Sequence, residues 1–272
     1  MKLAMAATAP LGADVLERLA ANRDIEFLIT RPDRPRGRGR RVGAPPAKEA
    51  ALRLGIPVRQ PERLDDPSAI EGADTIVVAA YGALIPEGLL ERANWLNVHP
   101  SLLPRWRGAA PVERAIMAGD TETGVTIHRT TPELDAGPIA AQRSFPIGPE
   151  DDAGAVYARA GALAAELLED VLDGNPELRP QPEEGATYAE RLTAADRELD
   201  WKRPPEELLN RIRALSPHIG ARGMVDGRPL TVWRAAPARP DSAVVADGLE
   251  LIEVQPEGRR RMSAEEYLRG LR

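Results

Sequence analysis

The chain has 272 residues and a net charge of −6, and its length fits one large or two ordinary domains. It contains 43% hydrophobic residues, enough for a core, but no apolar run of the roughly 18 residues that a membrane helix needs. Cysteine is absent, which excludes disulfides, thiolate nucleophiles and cysteine-ligated zinc, and three scattered histidines do not suggest a metal cluster. We therefore expect a soluble, cytoplasmic protein with no membrane partner.

The N-terminal segment predicts the start of a parallel sheet. Residues 2–8 form a predicted strand, 12–21 a helix with one apolar face and 25–29 a second strand. A strand–helix–strand order predicts parallel strands joined by a right-handed crossover. The first turn lacks a Gly-x-Gly-x-x-Gly pattern, so we do not expect a dinucleotide site there.

An arginine-rich segment follows the second strand. Residues 31–41 carry six arginines against one aspartate, a local net charge of +5 in an acidic chain. Because glycine, proline and arginine together do not build a packed element, we predict a long mobile loop. Arginines on such a loop match phosphate groups well, which indicates contact with a nucleic acid. An ordinary solvated loop is the alternative that composition leaves open.

Further elements lead to one segment that stands out. They are a helix over 47–54, a strand over 57–60, a buried strand over 75–80 and a helix over 86–92. Residues 97–108 then have the sequence Asn-Val-His-Pro-Ser-Leu-Leu-Pro-Arg-Trp-Arg-Gly. If this segment begins extended, the side chains of Asn97 and His99 point to the same face. An amide beside an imidazole can hold a carbonyl that becomes an oxyanion, although the flanking prolines equally suit a stiff structural loop.

The remaining pattern predicts one more stretch of mixed elements, a polar linker and a second domain. Before the linker we predict a helix over 110–117, strands over 123–129 and 140–144, and a helix over 151–172. The proline- and glutamate-rich residues 180–185 mark the domain boundary. After it come a helix over 205–215, strands over 221–225, 230–234 and 249–254, and a helix over 263–271. This arrangement predicts a small β-rich domain, such as a barrel.

Several polar residues have both a functional and a structural interpretation. Ser101 is a candidate nucleophile, but no dedicated base lies beside it in the sequence, which favours a hydroxyl that bonds the backbone. Asp135, taken alone, is typical of an ordinary turn. His128 alternates on a predicted strand, which favours packing or lining of a substrate site over catalysis.

Two motifs together resemble the folate-dependent formyltransferases. They are Asn-x-His-x-Ser-Leu-Leu-Pro-x-x-Arg-Gly at 97–108 and, after a glycine-containing strand, Leu-Asp-x-Gly at 134–137. Within that superfamily the chain is most similar to the methionyl-tRNA formyltransferase family. Three further stretches carry this narrower resemblance: the arginine segment at 31–41, residues 105–111, and Thr-Tyr-Ala-Glu-Arg-Leu at 187–192 with Asp-Trp at 200–201. The resemblance covers nearly the whole chain.

The resemblance implies an α/β fold and a two-domain organisation. Residues 1–180 are expected to form a Rossmann-like formyltransferase domain with a mostly parallel sheet, and 181–200 a linker. Residues 201–272 are then expected to form a small OB-like β-barrel that binds tRNA. A monomer is the expected oligomeric state.

It also implies an activity: transfer of a formyl group from 10-formyltetrahydrofolate to the α-amino group of initiator methionyl-tRNA, without a metal. Asn97 is expected to donate to the oxyanion, and His99 to donate to it or to shuttle the amine proton. Asp135 is expected to orient or polarise His99, or to hold a water for proton transfer. The residues expected to contact the folate are Tyr81, Gly82, Ser101, Leu102, Leu103 and Pro104. Those expected to contact tRNA are Arg34, Arg38, Arg40 and Arg41, with a second patch at Arg211, Arg213 and Arg222.

The chain departs from the family pattern at several places, and alternatives remain open. Ala7 and Leu11 stand where the family usually has glycine and phenylalanine, and the C-terminal part is short. One alternative is a formyltransferase that acts on an amino sugar nucleotide or on glycinamide ribonucleotide. Another is a catalytically silent relative that binds tRNA.

Overall fold

The computed structural model describes residues 1–36, 41–174, 176–240, 242 and 245–270, and the chain divides into two compact units. The first unit comprises Met1–Ala109, Gly124–Phe145 and Tyr157–Tyr188. The second comprises Ala110–Thr123, Pro146–Val156 and Ala189–Arg272. The domain boundaries expected from the sequence, 1–180, 181–200 and 201–272, stay a prediction. Within the described ranges, every helix is too short or too polar to cross a bilayer.

The N-terminal elements are β1 Leu3–Ala7, α1 Pro10–Ala20, β2 Leu28–Ile29, β3 Arg34–Arg36, β4 Arg41–Gly43, α2 Pro46–Leu54, β5 Val58–Arg59, β6 Thr75–Ala79 and α3 Glu87–Leu90. The following elements are β7 Asn94–His99, β8 Arg107–Gly108, α4 Pro111–Met117, β9 Glu122–Arg129, β10 Ile139–Pro146, α5 Ala153–Asp173 and β11 Tyr188–Ala189. Helix α6 Pro205–Leu215 then precedes β12 Ala221–Val225, β13 Arg228–Pro237, β14 Val245–Ala246, β15 Leu249–Pro256, β16 Met262–Ser263 and α7 Ala264–Arg269.

A seven-stranded sheet organises the first unit, in the order β10-β9-β7-β6-β1-β2-β5. Strand β1 pairs in parallel with β2 and β6, β2 with β5, and β6 with β7, whereas β9 runs antiparallel to β7. The predicted mostly parallel α/β sheet is therefore confirmed. The second strand is shorter than predicted, because only Leu28 and Ile29 complete ladder pairs with β1.

The sheet is buried on both faces. Leu3, Met5 and Ala7 of β1 pack in one apolar cluster, and the alternating residues Ala4 and Ala6 pack in another. This period of two explains why β1 is an unbroken apolar run rather than an alternating one. Helix α1 packs so closely against the sheet at Gly12 that an added Cβ would come within 2.4 Å of the Ala79 carbonyl oxygen. Glycine is therefore required at this position.

The arginine segment corrects one expectation. Residues 34–36 and 41–43 form an antiparallel two-stranded hairpin, β3–β4, where the composition predicted a loop without a regular element. Proline is tolerated here because an edge strand leaves N–H positions unpaired. The hairpin base is anchored at Asp33, which accepts hydrogen bonds from Lys48 Nζ at 2.8 Å and from Gln60 Nε2 at 2.8 Å. Arg34 is exposed on β3, whereas Arg38 and Arg40, also predicted to contact tRNA, lie outside the described residues.

The second unit contains an antiparallel sheet in the order β12-β13-β15-β14, with β16 paired to β15. Leucine, valine and alanine side chains from this sheet pack with Leu208, Ile212 and Leu215 of α6 in one apolar cluster. The predicted β-rich second part is thereby confirmed as an antiparallel sheet. Its closure into an OB-like barrel stays a prediction.

Candidate active site

Asn97 and His99 lie at the carboxyl end of the central strand β7. In an open parallel sheet this end is where ligands bind. The strand is extended, so both side chains project from the same face, as the two-residue spacing predicted. Pairing with β9 sets Asn97 opposite His128 and His99 opposite Thr126. His99 is 4% exposed and His128 is 1% exposed, so both imidazoles are buried.

Asp135 joins this pair from the turn after β9. Its Oδ1 accepts a hydrogen bond from Asn97 Nδ2 at 3.2 Å, and its Oδ2 lies 3.7 Å from His99 Nδ1. The Gly108 amide donates to Oδ2 at 2.9 Å. Asp135 has a φ of +48°, a conformation that is uncommon outside glycine. The structure therefore brings together all three residues that the sequence proposed for catalysis.

The Asn97 amide has a second acceptor, the imidazole of His128. Asn97 Nδ2 lies 2.9 Å from His128 Nε2, and His128 Nδ1 lies 3.0 Å from the Arg129 carbonyl oxygen. Because a carbonyl only accepts, Nδ1 donates to it, and Nε2 accepts from the amide. Both hydrogens of the Asn97 amide therefore point at protein acceptors, His128 and Asp135. An oxyanion would have to share or replace one of these bonds.

The tautomer of His99 follows from its contact with the catalytic loop. Its Nε2 lies 2.8 Å from the Trp106 carbonyl oxygen and so donates, which leaves Nδ1 of the neutral ring as a proton acceptor facing Asp135. Burial lowers the pKa of His99, although Asp135 and the bond to Trp106 oppose this shift. Near neutral pH the ring is therefore uncharged and able to take a proton.

Asp135 is ionised in this setting. Burial alone would raise its pKa, yet the adjacent His128 and His99 side chains and the Gly108 N–H hold the pKa below its ordinary value. A carboxylate thus faces the unprotonated nitrogen of His99. This arrangement stabilises a proton that arrives on His99, because the imidazolium would form beside a fixed negative charge.

The loop after His99 is held by hydrogen bonds from buried hydroxyls. Ser101 Oγ donates to the Arg105 carbonyl at 2.7 Å, and Ser101 is fully buried, which favours the backbone-bonding role over a nucleophile. Thr126 Oγ1 donates to the Ser101 carbonyl and accepts from the Leu103 amide. Gly124 is required on β9, since an added Cβ would come within 2.3 Å of the Arg143 carbonyl oxygen as well as within 2.5 Å of a Leu102 methyl carbon of this loop.

The turn after β6 holds the other residues expected to line a folate pocket. Tyr81 is 4% exposed, and burial raises the pKa of its hydroxyl. Gly82 has a φ of +75°, which explains the glycine, and its carbonyl accepts a hydrogen bond from Arg31 Nη1 at 2.7 Å. The base of the arginine segment thus contacts this turn directly.

Three residues beside the site were not proposed for catalysis from the sequence: His128, which was expected to pack or to line a substrate site, Thr126 and Gln181. Both faces of β9 are buried, so alternation does not single out His128 and Thr126, and only the strand register sets them against Asn97 and His99. Gln181 lies among prolines that suggested a linker. Its side chain nevertheless donates to the main chain of Asp135 at 2.8 Å.

The proposed second arginine patch is largely engaged within the second unit. Arg213 donates to the carbonyls of Gly148 and Asp151, and burial lowers its pKa. Arg211 donates to two main-chain carbonyls, while Arg222 is exposed. A role of these residues in tRNA contact stays a prediction, and Arg222 is the best placed of the three.

Comparison with known families gives matches along nearly the whole chain. A model described as "Formyl transferase" matches residues 1–172, and one described as "Formyl transferase, C-terminal domain" matches residues 191–248. The chain is 40% identical to a methionyl-tRNA formyltransferase of Aromatoleum aromaticum, covering 99% of this chain and 94% of that protein. It is 42% identical to a methionyl-tRNA formyltransferase of Acidiphilium cryptum, covering 99% and 97%.

Among solved structures, the chain resembles HypX from Aquifex aeolicus in complex with tetrahydrofolic acid. The TM-score is 0.70 at 18% identity, and the match covers 98% of this chain and 47% of HypX. At this level of identity the similarity concerns the fold alone.

Proposed function

This chain belongs to the formyl transferase family, and we propose that it transfers a formyl group from 10-formyltetrahydrofolate to the α-amino group of initiator methionyl-tRNA. The observation that carries the proposal is the joint position of Asn97, His99 and Asp135, with 3.2 Å between Asn97 and Asp135 and 3.7 Å between His99 and Asp135. Relatives that share about 40% of the sequence over their full length are methionyl-tRNA formyltransferases, which supports tRNA as the acceptor.

In the proposed reaction the α-amine attacks the formyl carbon and a tetrahedral oxyanion forms. The Asn97 amide donates to that oxyanion, exchanging one of its two protein acceptors for it. The amine loses a proton to Nδ1 of His99, where Asp135 stabilises the resulting imidazolium. The carbon–nitrogen bond to the folate then breaks, and the proton passes to the leaving nitrogen. No covalent enzyme intermediate is needed.

For the folate site we propose the residues Tyr81, Gly82, Ser101, Leu102, Leu103 and Pro104. Ser101 and Leu103 are buried, so they would contribute main-chain groups and shape rather than exposed side chains. The positive φ of Gly82 lets the backbone approach a flat ring closely. The rigid loop behind them, held by Thr126, favours a preformed pocket wall.

For tRNA we propose contact through the β3–β4 hairpin, with Arg34, Arg38, Arg40 and Arg41 facing phosphates. The hairpin supports this proposal because Arg34 is exposed on a strand that follows directly on the anchored Asp33, rather than on a free loop. The remainder of the catalytic part is acidic, so the positive charge is local to this segment. We propose that the protein acts as a monomer in the cytoplasm.

The test is formyl transfer from 10-formyltetrahydrofolate to charged initiator tRNA, run in parallel with an amino sugar nucleotide as acceptor. We expect formylmethionyl-tRNA as the product and no formylated sugar. Transfer to the sugar but not to the tRNA would contradict the proposal. Binding of charged tRNA without any transfer would instead favour a silent tRNA-binding relative.

A further inference from the structure

The turn that carries Asp135 is conformationally demanding. Asp135 itself has a φ of +48°, a conformation that non-glycine residues seldom adopt without support from their surroundings. Two residues later the chain passes so close to β9 that a Cβ added at Gly137 would come within 1.8 Å of the Arg129 carbonyl oxygen. Aspartate and glycine tolerate such a turn, and contacts from elsewhere in the first unit fix its position.

Gln181 supplies the main contact. Its Nε2 donates to the carbonyl of Asp135 at 2.8 Å and to the carbonyl of Gly137 at 2.8 Å, and so uses both amide hydrogens on this turn. Its Oε1 accepts from Arg107 Nε at 3.1 Å. These three bonds fix the orientation of the amide, because a flipped amide would set its oxygen against two carbonyls and its hydrogens against a guanidinium.

Arg107 closes the network from the other side. Its side chain is 3% exposed, and its main-chain N–H donates to the Thr187 carbonyl at 2.9 Å. The next residue, Gly108, donates its N–H to Asp135 Oδ2. Asp135 is therefore held at its main chain by Gln181 and at its carboxylate by Gly108. Arg107 lies next to Gly108 in the chain and donates to Gln181, so it joins the two contacts.

We propose that Gln181 and Arg107 are positioning residues that set the place of the Asp135 carboxylate relative to His99 and Asn97. Neither side chain contacts a reacting group in this arrangement. Each acts through Asp135, and their consequence for catalysis rests on the proposed function. The residue that composition assigned to a linker is thus part of the support of the active site.

The experiment compares Gln181→Ala and the uncharged, similarly long Gln181→Met with wild type by NMR titration of the His99 ring. The side chains of Asp135 and His128 both face this ring, and Asp135 raises its pKa. Displacing the carboxylate should therefore lower the pKa of His99 in both variants. In an Asp135→Asn background the same changes at Gln181 should have no further effect. Gln181→Met keeps the length of the side chain and adds no charge, but it loses both donors to the turn and the acceptor for Arg107.

A control is Gln255 in the second unit, whose side-chain amide likewise accepts at Oε1 and donates to a main-chain carbonyl, with one donated bond instead of two. Its Oε1 accepts from Trp233 Nε1 and its Nε2 donates to the Arg259 carbonyl. Gln255→Ala should leave the pKa of His99 at the wild-type value. Arg107→Met is a second variant that removes the donor to Gln181 together with the guanidinium that lies 3.8 Å from Glu183 Oε1, and a smaller shift in the same direction is expected from it.

The kinetic counterpart is kcat for formyl transfer, which should fall about tenfold or more in Gln181→Ala, because displaced catalytic groups lose rate steeply. The loss should nearly vanish in the Asp135→Asn background. A wild-type pKa of His99 in both Gln181 variants, or an equal loss of kcat in both backgrounds, would overturn the inference. If wild type transfers no formyl group, the proposed function fails, while the titration still decides the positioning role.

Discussion

The side-chain amide of Asn97 lies 2.9 Å from Nε2 of His128, directly opposite it in the antiparallel register of β7 and β9. This contact, together with the bond to Asp135, engages both amide hydrogens of the residue proposed to bind the oxyanion. The donor is therefore held in one orientation before substrate arrives. Such preorganisation makes an oxyanion contact effective, because the conformational entropy of the donor side chain is already lost when the protein folds.

Replacing His128 should impair catalysis through Asn97. In His128→Leu the amide loses its neutral acceptor and its orientation, so we expect kcat to fall about tenfold with little change in the KM for tRNA. In an Asn97→Ala background the same replacement should cost little more. Rate measurements on the four members of this double-mutant cycle check the coupling. Equal losses in both backgrounds would mean that His128 only fills space.

Removing either partner of the proton-transfer pair should have a larger effect. His99→Ala and Asp135→Ala should each lower kcat by about two orders of magnitude or more, because the amine loses its proton acceptor or the imidazolium loses its stabilising charge. Single-turnover formyl transfer measures this directly. A wild-type rate in either variant would remove that residue from the proposed mechanism.

The pH profile should report His99. Its pKa is lowered by burial, and the reaction needs the neutral ring, so activity should persist to a pH below the ordinary histidine range and decline under it. Asp135 opposes that lowering, so Asp135→Asn should move the acidic limb to still lower pH while reducing the rate. A limb that moves upward in this variant would contradict the assigned electrostatics. The measurement is kcat/KM as a function of pH.

The part of the site that was predictable is the part that depends on local geometry. Asn97 and His99 share a face because a strand alternates with a period of two, and that needs no knowledge of the fold. Asp135 was placed with them by a family resemblance, since its approach depends on the path of a distant turn. The pairing of His128 with Asn97 depends on strand register, which an alternating pattern does not specify.

Two elements were misjudged or missed for different physical reasons. The arginine segment was predicted as a loop because its side chains form no core, yet a hairpin is held by main-chain bonds that side-chain composition does not exclude. Gln181 lies between two prolines, a composition that indicates a linker. Its role arises from three side-chain hydrogen bonds that only the folded chain brings together.

In the second unit, the pair of Arg114 and Asp196 should stabilise the fold in a pH-dependent way. Arg114 donates to both carboxylate oxygens, and chiefly for that reason the pKa of Asp196 falls from 3.8 to about 2. The stabilisation is therefore present above pH 3.8 and is lost as the pH falls through about 2. After allowance for solvent screening, Arg114→Ala should lower the free energy of unfolding by about 1 kcal/mol at neutral pH.

Chemical denaturation at several pH values measures this difference, which should shrink toward the acid end of the series. The exposed pair of Arg203 and Glu207 supplies the control, since its side chains are 60% and 54% exposed. Arg203→Ala should change the free energy of unfolding by about 0.5 kcal/mol or less. A constant cost of Arg114→Ala from neutral to acid pH would show that the ion pair is not its source.

The arginine hairpin should govern affinity for tRNA and leave the folate site unaffected. Arg34→Ala and Arg38→Ala should each raise the KM for charged tRNA, because each removes a contact to phosphate, and should reduce the slope of log affinity against log salt by about one. Folate affinity, measured separately by fluorescence or calorimetry, should stay at the wild-type value. Arg18→Ala on helix α1, a half-exposed arginine paired with Asp14, is the matched control and should change neither quantity. If folate affinity falls together with tRNA use, the hairpin stabilises the turn at Gly82 and does not act by contacting tRNA. The hydrogen bond from Arg31 to the Gly82 carbonyl would connect the hairpin to that turn.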